Sequence, residues 1–385
     1  MGTDPVTPPT VPNVDRLRRV GLEAGLAAVG FTGAEVLEPA RSLLALRKNA
    51  GLAATMQFTY RNPERSTDPT RILDGARSMV VGLLDYRRDD PQPNAQLVGR
   101  VARYSRRDYY AELRSALSVI ADELIHAGFE ARVVADSNAL VDRNAAWRAG
   151  LGWYGKNTNL LVEGSGSWHV LGAVVTDAQL TPLDVPINDG CGSCTACIDQ
   201  CPTNALVAPG VLDARRCIAW LVQAGEPIPI EFRSSIGDWL YGCDICQEVC
   251  PPNRVSSRRT PLPAAEPDAQ AFVDLVWLLE ASDFELLDEV GRWYLAKRDP
   301  DVVRRTALVV LGNIAPPADP QAGRLLQRYV RHDRPFVRAH AVWAARRLGF
   351  DDLALPSRND PDPLVRAEWD HAVELRSVEI AGIAE

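Results

Sequence analysis

Four cysteines stand at spacings of three, three and four in "CGSCTACIDQCP", which runs from Cys191 to Pro202. Four more follow, Cys217 in "LDARRCIAW" and Cys243, Cys246 and Cys250 in "CDICQEVCP", and they complete the eight of the chain. Thiols bunched in this way serve as disulfides, zinc ligands or iron–sulfur ligands. Disulfide frameworks belong to small secreted domains, and no signal peptide or transmembrane run is read ahead of this one. Zinc takes closed sets of four, commonly two CxxC pairs, and asks neither for a third cysteine at the same spacing nor for a proline after the last. The run C-x2-C-x2-C-x3-C-P is that of two-cluster electron carriers, in which the fourth cysteine ligates the other cluster. Eight thiolates therefore imply two [4Fe–4S] clusters. Crossed ligation gives one to Cys191, Cys194, Cys197 and Cys250, and the other to Cys201, Cys243, Cys246 and the one remaining candidate, Cys217. Pro202 and Pro251 end the cluster-wrapping turns.

The elements that position these thiols fall into an α+β multidomain chain. With 46% hydrophobic residues the 385-residue sequence is long enough for two or three domains with a sizeable core. Residues 1–13 are rich in Pro and Thr without apolar periodicity and read as a disordered tail. Residues 14–180 read as an α/β domain. "VDRLRRVGLEAGLAAVGF" has helical spacing with Gly30 as its stop, strands are expected at 78–86, 131–136, 159–164 and 168–177, and an amphipathic helix ends near Gly128. Residues 181–260 form a ferredoxin-like two-cluster domain in which metal–sulfur bonds replace a hydrophobic core. After a proline-rich boundary, residues 261–385 are helical. "DPDVVRRTA" (299–307), "DRPFVRAHA" (333–341) and "DPLVRAEWD" (362–370) recur there at steps of 34 and 28 residues, the pattern of short HEAT-like hairpin repeats.

Charge is uneven. The whole chain carries −8, yet Gly291–Phe350 holds twelve Lys and Arg against four Asp, so that segment is +8 and the remainder −16. A solvated helical surface is one reading of that segment; clustering on one module favours a phosphate-binding face. Clusters with reduced thiolates place the protein in the cytoplasm, with no membrane partner and as a monomer.

Clusters supply one-electron steps, so something in residues 14–180 should accept electrons. "ADSNALVDRNAAWRAGLGWYGKNTNLL" (135–161) stands out, because Gly150, Gly152 and Gly155 there permit close backbone approach to a ligand while Trp147, Trp153 and Tyr154 form either core or ligand wall. "AGLGWYGKNT", "GSW" at 166–168, the first cysteine run, the isolated cysteine after "LDARR", "YGCDICQEVCP" and "LGN" at 311–313 together resemble the tRNA epoxyqueuosine reductase family, over about residues 14–350. "RSTDPTRILDGARSMVVGLLDY" and "ARYSRRDYY" resemble that family's N-terminal domain.

The resemblance implies a cobalamin held by the N-terminal α/β domain, reduced by the clusters and used to remove the epoxide oxygen of epoxyqueuosine at the wobble position of tRNA. It implies an external electron donor, and tRNA bound near its anticodon with help from the basic C-terminal repeats. The family's acid maps to Asp136, with Asp142 as the nearest rival carboxylate. Cobalamin contacts map to Trp153, Gly155, Lys156 and Asn157, to Gly242 and Asp244, and to Tyr104. None of the five histidines falls in a motif for an axial ligand. Three departures bear on substrate: "CIAWLVQA" (217–224) replaces a more polar segment, Tyr110 replaces a histidine, and Ala139 replaces a proline. They keep open a related corrinoid and iron–sulfur oxidoreductase acting on a small molecule, and, without corrinoid binding, a two-cluster electron carrier.

Overall fold

The computed structural model describes residues 10–93, 95–259 and 262–371. Residues 1–9 of the expected tail, and residues 260 and 261 of the proline-rich boundary, lie outside the described residues. The compact units do not follow chain order. One gathers the chain up to Asp89, Arg107–Arg215 and Asp244–Glu266; the other gathers Asp90–Arg106, Arg216–Cys243 and the chain from Pro267. The cysteine region expected at 181–260 is therefore shared out, with Cys217 and Cys243 in the second unit and the other six thiols in the first.

In the first unit, β1 (Ala28–Gly33), β2 (Ser78–Asp85), β3 (Ala131–Ala135) and β4 (His169–Thr176) make one sheet in the order β1-β2-β4-β3, with every neighbouring pair antiparallel. Three of these strands lie where alternation and apolar runs place them. The fourth expected strand shrinks to Leu160–Leu161, paired with Trp153–Tyr154 as a small hairpin. β1 corrects the sequence reading. The first helix, α1 (Val14–Glu23), stops before Gly25, whose φ of 99° suits glycine alone, and Gly30 is an interior strand residue and no helix stop. A Cβ on Gly30 would sit 2.3 Å from the Ala149 carbonyl, so the glycine answers to strand packing.

Helices cover the sheet because their apolar residues repeat at 3.6. In α5 (Tyr109–His126) the buried set is Leu113, Ala116, Leu117, Ile120, Ala121 and Leu124, and the Asp108 side chain caps the start at Ala111 N, 2.8 Å. Leu117 settles into the gap left by Gly82 and Gly172, which face each other across β2 and β4. Between β1 and β2 come α2 (Glu38–Asn49), α3 (Phe58–Arg61) and α4 (Pro63–Ser66); α6 (Asp142–Arg148) follows β3.

The second unit has a three-stranded sheet that periodicity did not foresee. Val98–Val101 lies between Trp239–Tyr241, parallel to it, and Phe272–Asp274, antiparallel. Helices Pro300–Ile314, Pro320–Tyr329 and Pro335–Arg347 follow. The recurring sequence has a local cause. Asp299 and Asp362 each cap a helix whose next residue is proline, at 3.0 and 2.8 Å, which starts the helix without losing a backbone donor, whereas the middle copy starts from Arg334 ahead of Pro335 with no side-chain cap. Val303, Val337 and Val365 are buried. Their following arginines tie back to nearby loop groups: Arg304 to Asp301, Arg338 to both oxygens of Asp360, and Arg366 to the Asp360 carbonyl.

That use of arginine revises the charge reading. Of the twelve cations at 291–350, Arg292, Arg298, Arg304, Arg305, Arg334, Arg338, Arg346 and Arg347 donate to the protein's own carbonyls or carboxylates. Many of these guanidinium groups are thus tied into internal structure, and fewer donors are open to an outside partner than composition implies.

Candidate active site and cluster motifs

The glycine-rich loop and the first cysteine run meet inside the first unit. Lys156 donates from Nζ to the carbonyls of Gly192 (2.6 Å) and Cys194 (2.9 Å), and Asn157 donates from Nδ2 to the Cys246 carbonyl (3.3 Å). Asn157 Oδ1 accepts from Asn159 N, so both polar ends of that side chain are engaged. These two residues therefore clamp one cysteine run each. The glycines are also explained locally: a Cβ on Gly152 would lie 2.3 Å from the Leu161 carbonyl, and on Gly155 2.6 Å from Asn157 Oδ1. Close approach is required, and the partner is the chain itself.

Cys250 is buried and packs with Trp153 and Leu161, against partly buried Ile187 and Cys191. Burial pushes the Cys250 thiol up to about 11, and the thiolates of Cys191, Cys197 and Cys194 push the same way, as four neighbouring thiols must. Burial likewise raises Cys197, with Cys191 and Cys194 adding to it. Iron would reverse this penalty, since a cluster binds thiolate and spreads its charge. None of the eight cysteines is in a disulfide. Among the described residues no three His, Cys, Asp or Glu side chains converge on a single-ion site; in a cubane each thiolate serves its own iron, so the donor set fits clusters. Cys201 Sγ accepts from Ala205 N at 3.3 Å, a bond of the kind that tunes cluster sulfur. In the second unit, Cys217 precedes the short helix Ile218–Leu221 and Cys243 follows the strand Trp239–Tyr241.

The "GSW" triplet is held to the second cysteine run by a buried network. Ser167 N donates to Asn253 Oδ1 at 2.7 Å, Ser167 Oγ to Gln247 Oε1 at 2.9 Å, and Gln247 Nε2 to Asp244 Oδ1 at 3.2 Å. Gly166, at φ 82°, leaves room for Asn253, whose Oδ1 a Cβ there would meet at 1.9 Å. Asp244 is thus buried and hydrogen-bonded by its own motif. In the second unit Tyr104 and Gly242 lie together: a Cβ on Gly242 would come 3.2 Å from the Tyr104 ring, and Gln223 Nε2 donates to the Tyr104 hydroxyl at 3.3 Å.

Asp136 follows β3 with φ 49°, the left-handed region, where a non-glycine residue carries strain. Solvent reaches its side chain, yet the protein around it raises its pKa by desolvation, opposed by Arg114 and assisted by Asp108. Asp142, at the start of α6, goes further. Burial raises its pKa well above the ordinary value, the Asp136 charge adds to that, and Oδ1 is buried without a hydrogen-bond partner. The two carboxyls form an interacting pair in which Asp142 holds its proton more tightly. Trp153 Nε1 is another buried donor left without a partner. An amide-rich ligand such as cobalamin supplies acceptors for such a group.

The family described as epoxyqueuosine reductase QueG (DUF1730) matches residues 66–137, a span that ends just past Asp136, and a 4Fe–4S double cluster binding domain matches residues 190–253. The epoxyqueuosine reductase of Xanthomonas campestris pv. campestris is 36% identical over 360 residues, covering 87% of this chain and 96% of its own. The chain belongs to the epoxyqueuosine reductase family. Among solved structures, an epoxyqueuosine reductase with an epoxyqueuosine-modified tRNA-Tyr stem loop aligns at TM-score 0.82 and 30% identity, covering 93% of this chain and 96% of that one. The Bacillus subtilis enzyme, solved with an aspartate-bearing catalytic loop swung out of its active site, aligns at TM-score 0.81 and 30% identity, covering 93% and 97%. Sequence reasoning missed two things: that Lys156 and Asn157 brace the cysteine runs, and that a basic cleft lies beside the Asp136 loop. An excess of Arg and Lys at residues 41–71 was the available signal for the second.

Proposed function

We propose that this member of the epoxyqueuosine reductase family, an iron–sulfur oxidoreductase with two [4Fe–4S] clusters and cobalamin, reduces epoxyqueuosine to queuosine in tRNA. The observation that carries the reading is likeness along almost the whole chain, in sequence and in structure, to enzymes of that activity, one of them solved with its tRNA stem loop. Removing an epoxide oxygen to leave an alkene takes two electrons and two protons and releases water. An external donor supplies the electrons through the clusters, and cobalamin, when bound, supplies the low-potential metal chemistry that opens the epoxide.

The chain's own residues supply position and a proton. Asp136, with its pKa raised and solvent at hand, gives a proton to the departing oxygen and is reloaded from water. Trp153 is assigned to the cobalamin through its Nε1–H, and Gly155, Lys156 and Asn157 shape that wall while bracing the cysteine loops. Cys191, Cys194, Cys197 and Cys250 are assigned to one cluster and, by motif spacing, Cys201, Cys217, Cys243 and Cys246 to the other. Tyr104, Gly242 and Asp244 are assigned to the cofactor on the resemblance alone. The helices from Pro300 onward are read as HEAT-like repeats that offer the tRNA Arg324 and Arg331, whose guanidinium groups among the described residues make no hydrogen bond or ion pair, together with Arg328 and, just ahead of the helices, Lys297. Among the described residues no helix is long and apolar enough to cross a membrane, and we assign the protein to the cytoplasm.

The test is anaerobic reconstitution with iron, sulfide and cobalamin, followed by incubation with epoxyqueuosine-containing tRNA and mass spectrometry of the digested nucleosides. Wild type converts the nucleoside; Asp136→Asn keeps cluster and cobalamin spectra and loses conversion by roughly a hundredfold or more. Full loading of wild type with no conversion would move the substrate to a small molecule, where the altered 217–224 segment already points. Unchanged turnover in Asp136→Asn would remove Asp136 as the acid.

A further inference from the structure

The C-terminal repeats carry the basic segment, but its arginines are largely engaged. A different basic surface lies in the first unit. Phe58, Arg61, Asn62, Arg65, Ser66 and Asn138 line a cleft of about 350 Å³, within the range of about 300–1,000 Å³ that holds small ligands or single nucleotides. We propose that this cleft is a subsite for one nucleotide of single-stranded RNA next to the reacting residue, with Arg61 and Arg65 on its phosphate and Phe58 against its base. The inference rests on the tRNA reading above and names where the loop flanking the target is held.

Arg61 and Arg65 are exposed, on α3 and α4, and among the described residues neither guanidinium makes a hydrogen bond or ion pair. Their neighbours differ: Arg41 bonds Thr67 and Glu38, and Arg71 bonds Asp68. No carboxylate lines the cleft, so its charge is +2 and uncompensated at the wall. Residues 41–71 carry six Arg and Lys against Glu64 and Asp68, a local excess within a chain of net −8. Phe58 is 45% exposed on a helix of four residues. Phe58 thus lines the polar cleft with a partly exposed ring, and single-stranded RNA is held by stacking on such rings while guanidinium groups take its phosphates.

The cleft is also fixed to the catalytic loop. Ser66 Oγ donates to the Asn138 carbonyl at 2.6 Å, and Asn138 lies two residues beyond Asp136. A nucleotide seated on Arg61 and Arg65 would therefore place its neighbour beside Asp136. A free phosphate would use the arginines and ignore Phe58, and an acidic peptide would do the same, so the ring is what separates RNA from either.

The test uses the full-length, cluster-loaded protein and fluorescence anisotropy of an anticodon stem-loop RNA across a salt series, for wild type, Arg61→Ala, Arg65→Ala, the double alanine variant, Phe58→Ala and Arg61→Lys. Each lost phosphate contact should flatten the slope of log affinity against log salt by about 0.7 to 1, the double variant by about twice that, with affinity roughly tenfold weaker at low salt. Phe58→Ala should weaken binding with the slope unchanged, and Arg61→Lys should keep the slope. Cluster absorbance and circular dichroism equal to wild type show that each variant is folded. If wild type binds the RNA with a steep salt slope and the double variant has the same affinity and slope, the subsite is wrong while the tRNA reading stands. If loaded wild type binds no RNA, both fall.

Discussion

Asp136 and Asp142 show how two residues of one type, six positions apart, come to differ in chemistry. The first sits in a strained turn open to solvent, and the second is half-buried at a helix start with its Oδ1 buried and unpaired. Because the folded pKa of Asp142 is raised, the folded state holds a proton that the unfolded state releases. Stability contributed by that proton is full below the ordinary carboxylate pKa and is lost as pH rises toward the raised value. Asp142→Asn should therefore raise stability at pH 8 by about 1 kcal/mol, by removing a charge that is poorly solvated there, and should flatten the fall in stability as pH rises above the ordinary carboxylate range. Thermal unfolding of the loaded protein from that range up to pH 8 measures it, and an Asn variant no more stable than wild type at pH 8 would show that Asp142 is paired in solution. Sequence made Asp136 and the eight cysteines visible because motif order and short spacing are local signals. It could not give the unequal environments of the two carboxylates, nor the reach of Lys156 to a cysteine loop 36 residues on, because both depend on packing across the chain.

At the scale of elements, what was legible is what periodicity encodes. The strands at 78–85, 131–135 and 169–176 and the helix at 109–126 follow from apolar spacing. β1 was hidden by "LAAVGF", which helical and strand spacing fit equally well, and the strand Val98–Val101 by its length of four residues. The segment after Cys217 depends on a partner that no local pattern announces. Arg305 is fully buried, with its pKa drawn down to about 9 by burial and then by Arg233, and so stays charged at neutral pH. Its fork donates to the carbonyls of Leu221 (2.9 Å), Val222 (3.2 Å), Ala224 (3.0 Å) and Glu226. These are the end of the short helix Ile218–Leu221 and the turn after it. Arg305→Met removes the donors and keeps the bulk, so it should cost about 3 kcal/mol and weaken the hold on Cys217; Arg305→Lys, which cannot fork, should recover part of the loss. Urea unfolding decides it, and a Met variant as stable as wild type would show that water satisfies those carbonyls.

For the whole molecule, the interior is of two kinds. The sheet of the first unit and the helices of the second are held by buried apolar side chains, among them Leu83, Leu117, Val174, Leu308, Val337 and Val342. Between Leu183 and Arg215 the elements are strands of two or three residues and one helix of four, and the buried apolar positions are scattered. Short elements of that kind close no core by themselves, so their order should come from metal–sulfur bonds, whose formation free energy is folding free energy. Stripping the clusters with chelator and oxidant should therefore unfold one stretch ahead of the rest. Limited proteolysis of the stripped protein should cut first within residues 183–215, tens of times faster than in the loaded protein, while Pro300–Arg347 stays protected in both, since cleavage follows the open population set by local stability. Peptide mapping by mass spectrometry locates the first cuts. Equal rates with and without clusters, or first cuts in the C-terminal helices, would show that hydrophobic packing alone holds the cysteine region, and that the thiols are ligands carried by a preformed fold.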